Sequence, residues 1–177
     1  MIFLDESGFS LVSPLKSTWA PRGQTPTIRT RLEHNARLNL IGALGVTPAG
    51  RQVKLHVQSY RNAIRGEQVI RFLKQLLKQI TGRIVLLWDK HPIHRRRLVK
   101  DFLAAHSRMQ VYEFPTSAPE LNPTEWVWAQ LKAYTANSAP HDAAELRANV
   151  FAGIARSRGS KRRLWACIFA SELPWQR

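Results

Sequence analysis

Ile84-Val85-Leu86-Leu87-Trp88-Asp89 decides the fold: five apolar residues without a polar interruption, then an acid. An unbroken apolar run of strand length fits a strand covered on both faces, and that requires helices on either side of a sheet. The flanking segments agree. Upstream, residues 66–80 carry Val69, Ile70, Leu73, Leu76, Leu77 and Ile80 on one stripe, with Arg71, Lys74 and Lys78 elsewhere, which predicts an amphipathic helix. Downstream, residues 94–106 have a helical pattern with Leu98, Phe102 and Leu103 inward, and Val111-Tyr112-Glu113-Phe114 reads as another short strand.

Further out, Leu38–Val46 and Gln52–Val57 flank Thr47-Pro48-Ala49-Gly50, a hairpin with a Pro/Gly turn. Met1–Leu4 reads as a short buried strand ending at Asp5. Residues 10–35, broken by Pro14, Pro21, Gly23 and Pro26, read as loop or loose hairpin. A helix is predicted from Pro123 to Tyr134, and a further one starts near Asp142, capped by Asp142 with Glu145 three residues on. Beyond it lie a basic run, Arg156–Arg163, and an apolar stripe of Leu164, Trp165, Ile168 and Phe169. This order predicts an α/β domain spanning residues 1–177: a mixed central sheet, antiparallel in its first half, with helices on both faces and residues 138–177 as a helical, basic tail.

The composition narrows the partner. Lys and Arg number 27 against 12 Asp and Glu, a net charge of +15. A polyanion, nucleic acid above all, is the expected partner; the bland alternative is a solvated basic surface or a ribosome-like structural role. Cys167 is the single cysteine, which excludes an internal disulfide and a Cys-rich zinc site and suits a reducing cytoplasm. No apolar run approaches the roughly 20 residues of a membrane span, and no basic stretch precedes the first apolar run, so neither membrane nor signal peptide is expected. The chain opens directly on a core strand, as a catalytic half separated from an upstream partner domain is expected to do.

Three acids attract a functional reading. Asp5 and Asp89 each end an apolar strand, where ligands bind in α/β sheets; Asp is also a common turn residue there. Glu125 opens the third helix. Asn122 is the expected N-cap, Pro123 the first helical residue and Glu125 the N3 partner of a capping box, favoured by the helix dipole by roughly 0.3–1 kcal/mol. On the helical wheel Val127, Trp128, Leu131 and Tyr134 share the face that packs on the sheet; Glu125 lies well off that face, with Lys132 nearly above it two turns on, and from the helix start it could point towards the strand ends. Carboxylates brought about 4 Å apart repel by roughly 4 kcal/mol at an effective dielectric of 20. Divalent cations remove that penalty, and oxygen-only ligands suit Mg²⁺ or Mn²⁺. His91 and His94 beside Asp89 are a weak zinc signal without cysteines.

Four segments in order, MIFLDESGF (Met1–Phe9), WAPRGQTP (Trp19–Pro26), LLWDKHPIH (Leu86–His94) and FPTSAPELNPTEWVWAQLK (Phe114–Lys132), resemble the DDE superfamily endonuclease domain. More narrowly, they resemble bacterial insertion-sequence transposases of the mariner superfamily, over residues 1 to about 135. The resemblance implies an RNase H-like fold. It implies that Asp5, Asp89 and Glu125 are the catalytic, metal-binding acids, Asp89 in a D-x-x-P-x-H segment with Pro92 and His94, and 35 residues (125 − 89 − 1) between Asp89 and Glu125. Two Mg²⁺ (or Mn²⁺) ions would serve cleavage at transposon ends, freeing a 3′-hydroxyl that attacks target DNA. It further implies DNA as partner, a homodimer, a bacterial cytoplasmic, nucleoid-associated setting, and a helix-turn-helix end-recognition region supplied by an upstream-encoded chain or fusion.

Glu6 is the rival first acid, which strand alternation turns away from the side of Asp5; Glu120 is the rival third, in the loop before the helix. Candidates for contact with DNA are Arg22, Lys90, His94, Arg95, Arg96 and Lys132, with His94 either orienting a loop or touching a phosphate. Two departures stand out: Lys90 follows the second acid where Asn or Gly is frequent, and the aromatic before the "S-P-E-L" motif is replaced within Pro115–Ala118. The alternatives to an active transposase domain are a catalytically inactive, transposase-derived DNA-binding remnant and another RNase H-like nuclease.

Overall fold

A computed structural model of the chain describes residues 1–28 and 37–175. Five strands form one sheet in the order β3-β2-β1-β4-β5. They are β1 (Ile2–Ser10), β2 (Arg37–Val46), β3 (Val53–Tyr60), β4 (Ile84–Trp88) and β5 (Met109–Glu113). The first three are mutually antiparallel, while β4 runs parallel to β1 and β5 parallel to β4. The β2–β3 hairpin closes through Thr47, whose backbone N–H donates to Gln52 O, with Gly50 in the left-handed region at φ 62°.

Alternation along β1 divides the interior in two. Phe3 points into a core shared with α3 (Pro123–Thr135), α4 (Ala143–Arg158) and α5 (Lys161–Ala170); Leu4 points into a core shared with α1 (Gly66–Gln79) and α2 (Arg97–Ala104). Both faces of the sheet are therefore covered, as the IVLLW run requires. The fold is the mixed, two-faced α/β sheet expected from the sequence. Among the described residues no helix is long and apolar enough to cross a membrane.

Several elements depart from the sequence reading. β1 does not stop at Leu4 but continues to Ser10, because it pairs with β2 along its whole length, from Ile2↔Gly45 to Ser10↔Arg37. Asp5 therefore lies within a strand. Its ladder with β4 covers only Ile2↔Leu86 and Phe3↔Leu87, so Asp5 still sits just past the point where the two parallel strands part. Helix α2 begins at Arg97 rather than 94, since residues 91–95 form turns with His94 N–H on His91 O, and Val99 is its fully buried residue. In α3, Tyr134 is 45% exposed, and Thr124 and Thr135 take buried positions instead. In the helical, basic tail, Leu146, Val150 and Ile154 of α4 and Leu164 and Ile168 of α5 complete the core on the α3 face. Within the predicted loop at 10–35, residues 11–28 hold no helix or strand, and residues 29–36 lie outside the described residues.

Candidate active site

The site is built where β1 and β4 separate. The carbonyl of Leu4 faces β4 just past the end of their ladder, and a buried carbonyl needs a donor. The start of α3 supplies it: Asn122 Nδ2–H donates to Leu4 O at 3.1 Å, and beside it Thr124 Oγ1–H donates to Phe3 O at 2.5 Å. Asn122 also caps the helix, its Oδ1 accepting the Thr124 N–H at 3.1 Å ahead of Pro123. One side chain thus caps α3 and anchors it to β1. The capping box expected for Glu125 does not form, because the Asn122 N–H donates to Pro119 O at 2.9 Å. The Glu125 carboxylate is left to the cleft.

That cleft, of about 360 Å³, is lined by Asp5 from β1, Asp89 from the end of β4 and Glu125 from the first turn of α3. Lys90, His91 and the loop from Phe114 to Pro119 complete its walls. Within that loop Ser117 adopts φ 57°.

The two aspartates are held differently. Asp5 is 7% exposed, and its Oδ2 accepts the indole Nε1–H of the buried Trp128 at 2.8 Å. Burial, then the negative charges of Glu125, Glu6 and Asp89, push the Asp5 carboxyl up to about 8 against the pull of the indole bond. Asp89 is half-exposed; its Oδ1 accepts the His91 N–H at 3.0 Å and faces His94 Nδ1 at 3.1 Å. The His94 bond, aided by the His91 N–H, holds the Asp89 carboxyl below its ordinary range despite partial burial. Burial raises that of Glu125, with Asp89 adding and Lys132 opposing.

His94 joins the two faces. Its Nε2 meets Glu6 Oε1 at 3.1 Å, its Nδ1 meets Asp89, and its ring stacks on Trp88 with centroids 4.2 Å apart. Burial alone would lower its basicity, but the bonds to Asp89 and Glu6 override that and raise it to about 10, so both ring nitrogens carry protons. Glu6, Asp89 and His94 bring ligand-type atoms within 4.8 Å of one another. Both ring nitrogens of His94 are engaged within the trio, Nε2 by Glu6 and Nδ1 by Asp89, so it is an ion-pair chain. The cleft acids are the better donor set. They are carboxylate oxygens, suited to a hard divalent cation, and the raised Asp5 carboxyl marks a charge cost that such a cation removes.

Of the remaining candidates, Lys90 stands at the cleft, its Nζ 3.4 Å from Thr116 Oγ1. Lys132 is exposed and close enough to Glu125 to act on it electrostatically. Arg95 pairs with Glu113 at 3.0 Å on the surface, and Arg96 is exposed at the N-cap of α2. Arg22 is exposed in the segment after β1 and does not line the cleft. His94, only 3% exposed, turns its ring nitrogens to Glu6 and Asp89 and presents no surface to a phosphate, unlike the exposed DNA-contact candidates. Glu6 lies on the opposite face of β1, and Glu120 does not line the cleft. The role of Trp128 and the bond of His94 to Glu6 escape sequence reasoning, while the loop-orienting alternative for His94 fits its Nδ1 on Asp89. The signal for Trp128 is its place one turn after Glu125, and for His94 its place in D-x-x-P-x-H.

Residues 1–147 match the family model described as DDE superfamily endonuclease. Among solved structures, the chain is similar to the Mos1 strand transfer complex, with TM-score 0.60 and 16% identity over 99% of this chain and 55% of that one. It is similar to the Mos1 mariner paired end complex with Mn, with TM-score 0.59, 16% identity and coverage of 99% and 56%. It is also similar to the catalytic domain of Mos1 mariner transposase, with TM-score 0.51, 14% identity and coverage of 99% and 83%. At these identities the likeness is one of fold, and it is the RNase H-like sheet that is shared. The chain spans 55% of the length of the first of these proteins. No curated protein sequence matches it.

Proposed function

The chain belongs to the DDE superfamily endonuclease family, and from that premise we propose that it is the catalytic domain of a mariner-type transposase, cutting DNA at transposon ends and joining the freed 3′-hydroxyl to target DNA. The observation that carries this reading is the single cleft shared by Asp5, Asp89 and Glu125. These three would hold two Mg²⁺ or Mn²⁺ ions. When bound, divalent cations activate the attacking oxygen and stabilise the leaving oxygen of an in-line phosphodiester displacement.

The chain's own residues prepare that chemistry. Asp89, kept ionised by His94 and His91, is a ready ligand at the mouth of the cleft. Asp5 is fixed deep in it, and Glu125 closes the side from α3. Lys90 presents a cation to the phosphate beside these acids, and Arg95, Arg96, Lys132 and Arg22 carry the backbone of the DNA away from the cleft. The net charge of +15 draws the polyanion in. Recognition of the transposon ends comes from a helix-turn-helix region on an upstream-encoded chain or fusion. The working assembly is a homodimer in a bacterial nucleoid.

Mn²⁺- or Mg²⁺-dependent nicking of supercoiled plasmid DNA tests the reading. The parent chain nicks only with the ion present, and Asp5→Asn, Asp89→Asn and Glu125→Gln each abolish the cut. Three variants that nick as well as the parent would sink the assignment.

A further inference from the structure

Asp5 is held in place from a neighbouring strand's territory. It sits on β1 opposite Gly42 of β2, and the Trp128 indole crosses from α3 to donate to Asp5 Oδ2. Trp128 is 1% exposed, so the bond is dry and water offers no replacement for the indole. The approach depends on residue 42 having no side chain: a β-carbon there would stand 2.5 Å from Trp128 Cη2 and 2.8 Å from Cζ2. Gly42 is not among the glycines with positive φ. Its backbone conformation does not call for glycine, and glycine inside a strand costs about 0.5–1 kcal/mol relative to alanine. Room for the indole accounts for it.

A buried indole N–H usually finds some acceptor. Here the acceptor is a carboxylate of the candidate site. Asp89, though held by different groups, also has its donors gathered on a single oxygen, Oδ1. We propose that Trp128, admitted by Gly42, is a positioning residue: it ties down one carboxylate oxygen of Asp5 and so fixes which oxygen Asp5 offers the cation in the cleft. This rests on the assignment of Asp5 to the cation site made above. Partners that orient a metal ligand in this way typically change affinity by about 10–100-fold when removed.

The test is Mn²⁺ binding to the full chain, measured by calorimetry beside thermal melting, for Trp128→Phe, Gly42→Ala, the double variant and Asp5→Asn. Trp128→Phe is expected to bind Mn²⁺ about 10–100-fold more weakly. Gly42→Ala is expected to lose both affinity and melting temperature. In the double variant the smaller ring leaves room for the new methyl group, so melting temperature recovers while affinity does not. A residue that only fills the core would have the two recover together, which overturns the proposal. Parent-like affinity in Trp128→Phe, with binding lost in Asp5→Asn, also overturns it and leaves the site assignment standing. Parent-like affinity in Asp5→Asn removes the site assignment and the positioning role together. If Trp128→Phe does not fold, the indole N–H resonances of the parent decide. One protected resonance should move on Mg²⁺ addition and lose that response in Asp5→Asn; if none moves, the proposal fails.

Discussion

Asp5 and Asp89 face one cleft from neighbouring parallel strands, yet one is sealed between the sheet and α3 while the other hangs half-exposed from the end of β4. A neutral indole holds the first; an imidazolium and a backbone N–H hold the second. The same side chain therefore resists ionisation at position 5 and favours it at position 89. In this account Asp89 supplies standing negative charge, and Asp5 becomes fully charged when a cation compensates it. The difference can be broken or sharpened experimentally.

The largest effect is expected from exchanging each acid for its amide. Asp5→Asn and Asp89→Asn should both lower nicking by about a hundredfold or more, but their metal-free stabilities should move in opposite directions. Asp5→Asn removes the cost of burying a carboxyl that must hold its proton at neutral pH and should gain upwards of about 1 kcal/mol, one pKa unit being worth about 1.4. Asp89→Asn removes the anion facing His94 and should lose stability. Urea unfolding in chelator reads both signs; equal signs would dissolve the contrast.

His94→Phe comes next. The ring still stacks on Trp88, but Glu6 and Asp89 lose the cation between them. A loss of about 1–3 kcal/mol is expected at neutral pH, since a partly buried acceptor, Glu6, is left unpaired. Thermal melting checks it, and a neutral result would mean that the chain of ion pairs contributes no stability.

A smaller effect should appear in pH dependence. Without divalent ions, folded Asp5 keeps its proton up to about 8 while the unfolded chain releases it near 3.8. Between those values the folded state binds more protons, so raising the pH favours unfolding, by no more than about 1.4 kcal/mol per pH unit for one group. The decline is present in the parent and missing in Asp5→Asn; subtracting their unfolding midpoints across this range isolates it.

Least of all should come from Glu120→Gln. That carboxylate lies outside the cleft, so stability should stay within about 0.5 kcal/mol and nicking should be unchanged. Lost nicking would restore Glu120 as the third acid.

What the sequence made legible follows from the range of the interactions. The apolar run Ile84–Trp88, the stripe of α1 and the N-cap at Asn122 are local patterns, and each element stands where its pattern places it. The length of β1 was not legible. Asp5-Glu6-Ser7-Gly8 interrupts the apolar run, and the strand persists through pairing with β2, more than thirty positions away. His94, set between Ile93 and a run of arginines, reads as surface. Its interior place is fixed by Glu6, 88 residues upstream, and by Trp88 beneath the ring. The Trp128–Asp5 bond spans 123 residues and a missing side chain at Gly42. No periodicity encodes such a meeting. The three acids stand out in the sequence because each follows an apolar run or opens a helix, while the contacts that support them are tertiary and leave no local pattern.

The most direct test is a crystal of the chain soaked in manganese and measured for anomalous scattering. The account predicts density at ligand distance from carboxylate oxygens of Asp5, Asp89 and Glu125, with the His94 ring still bridging Glu6 and Asp89. Manganese bound instead by His94, Glu6 and Asp89, or absent from the cleft, would contradict it.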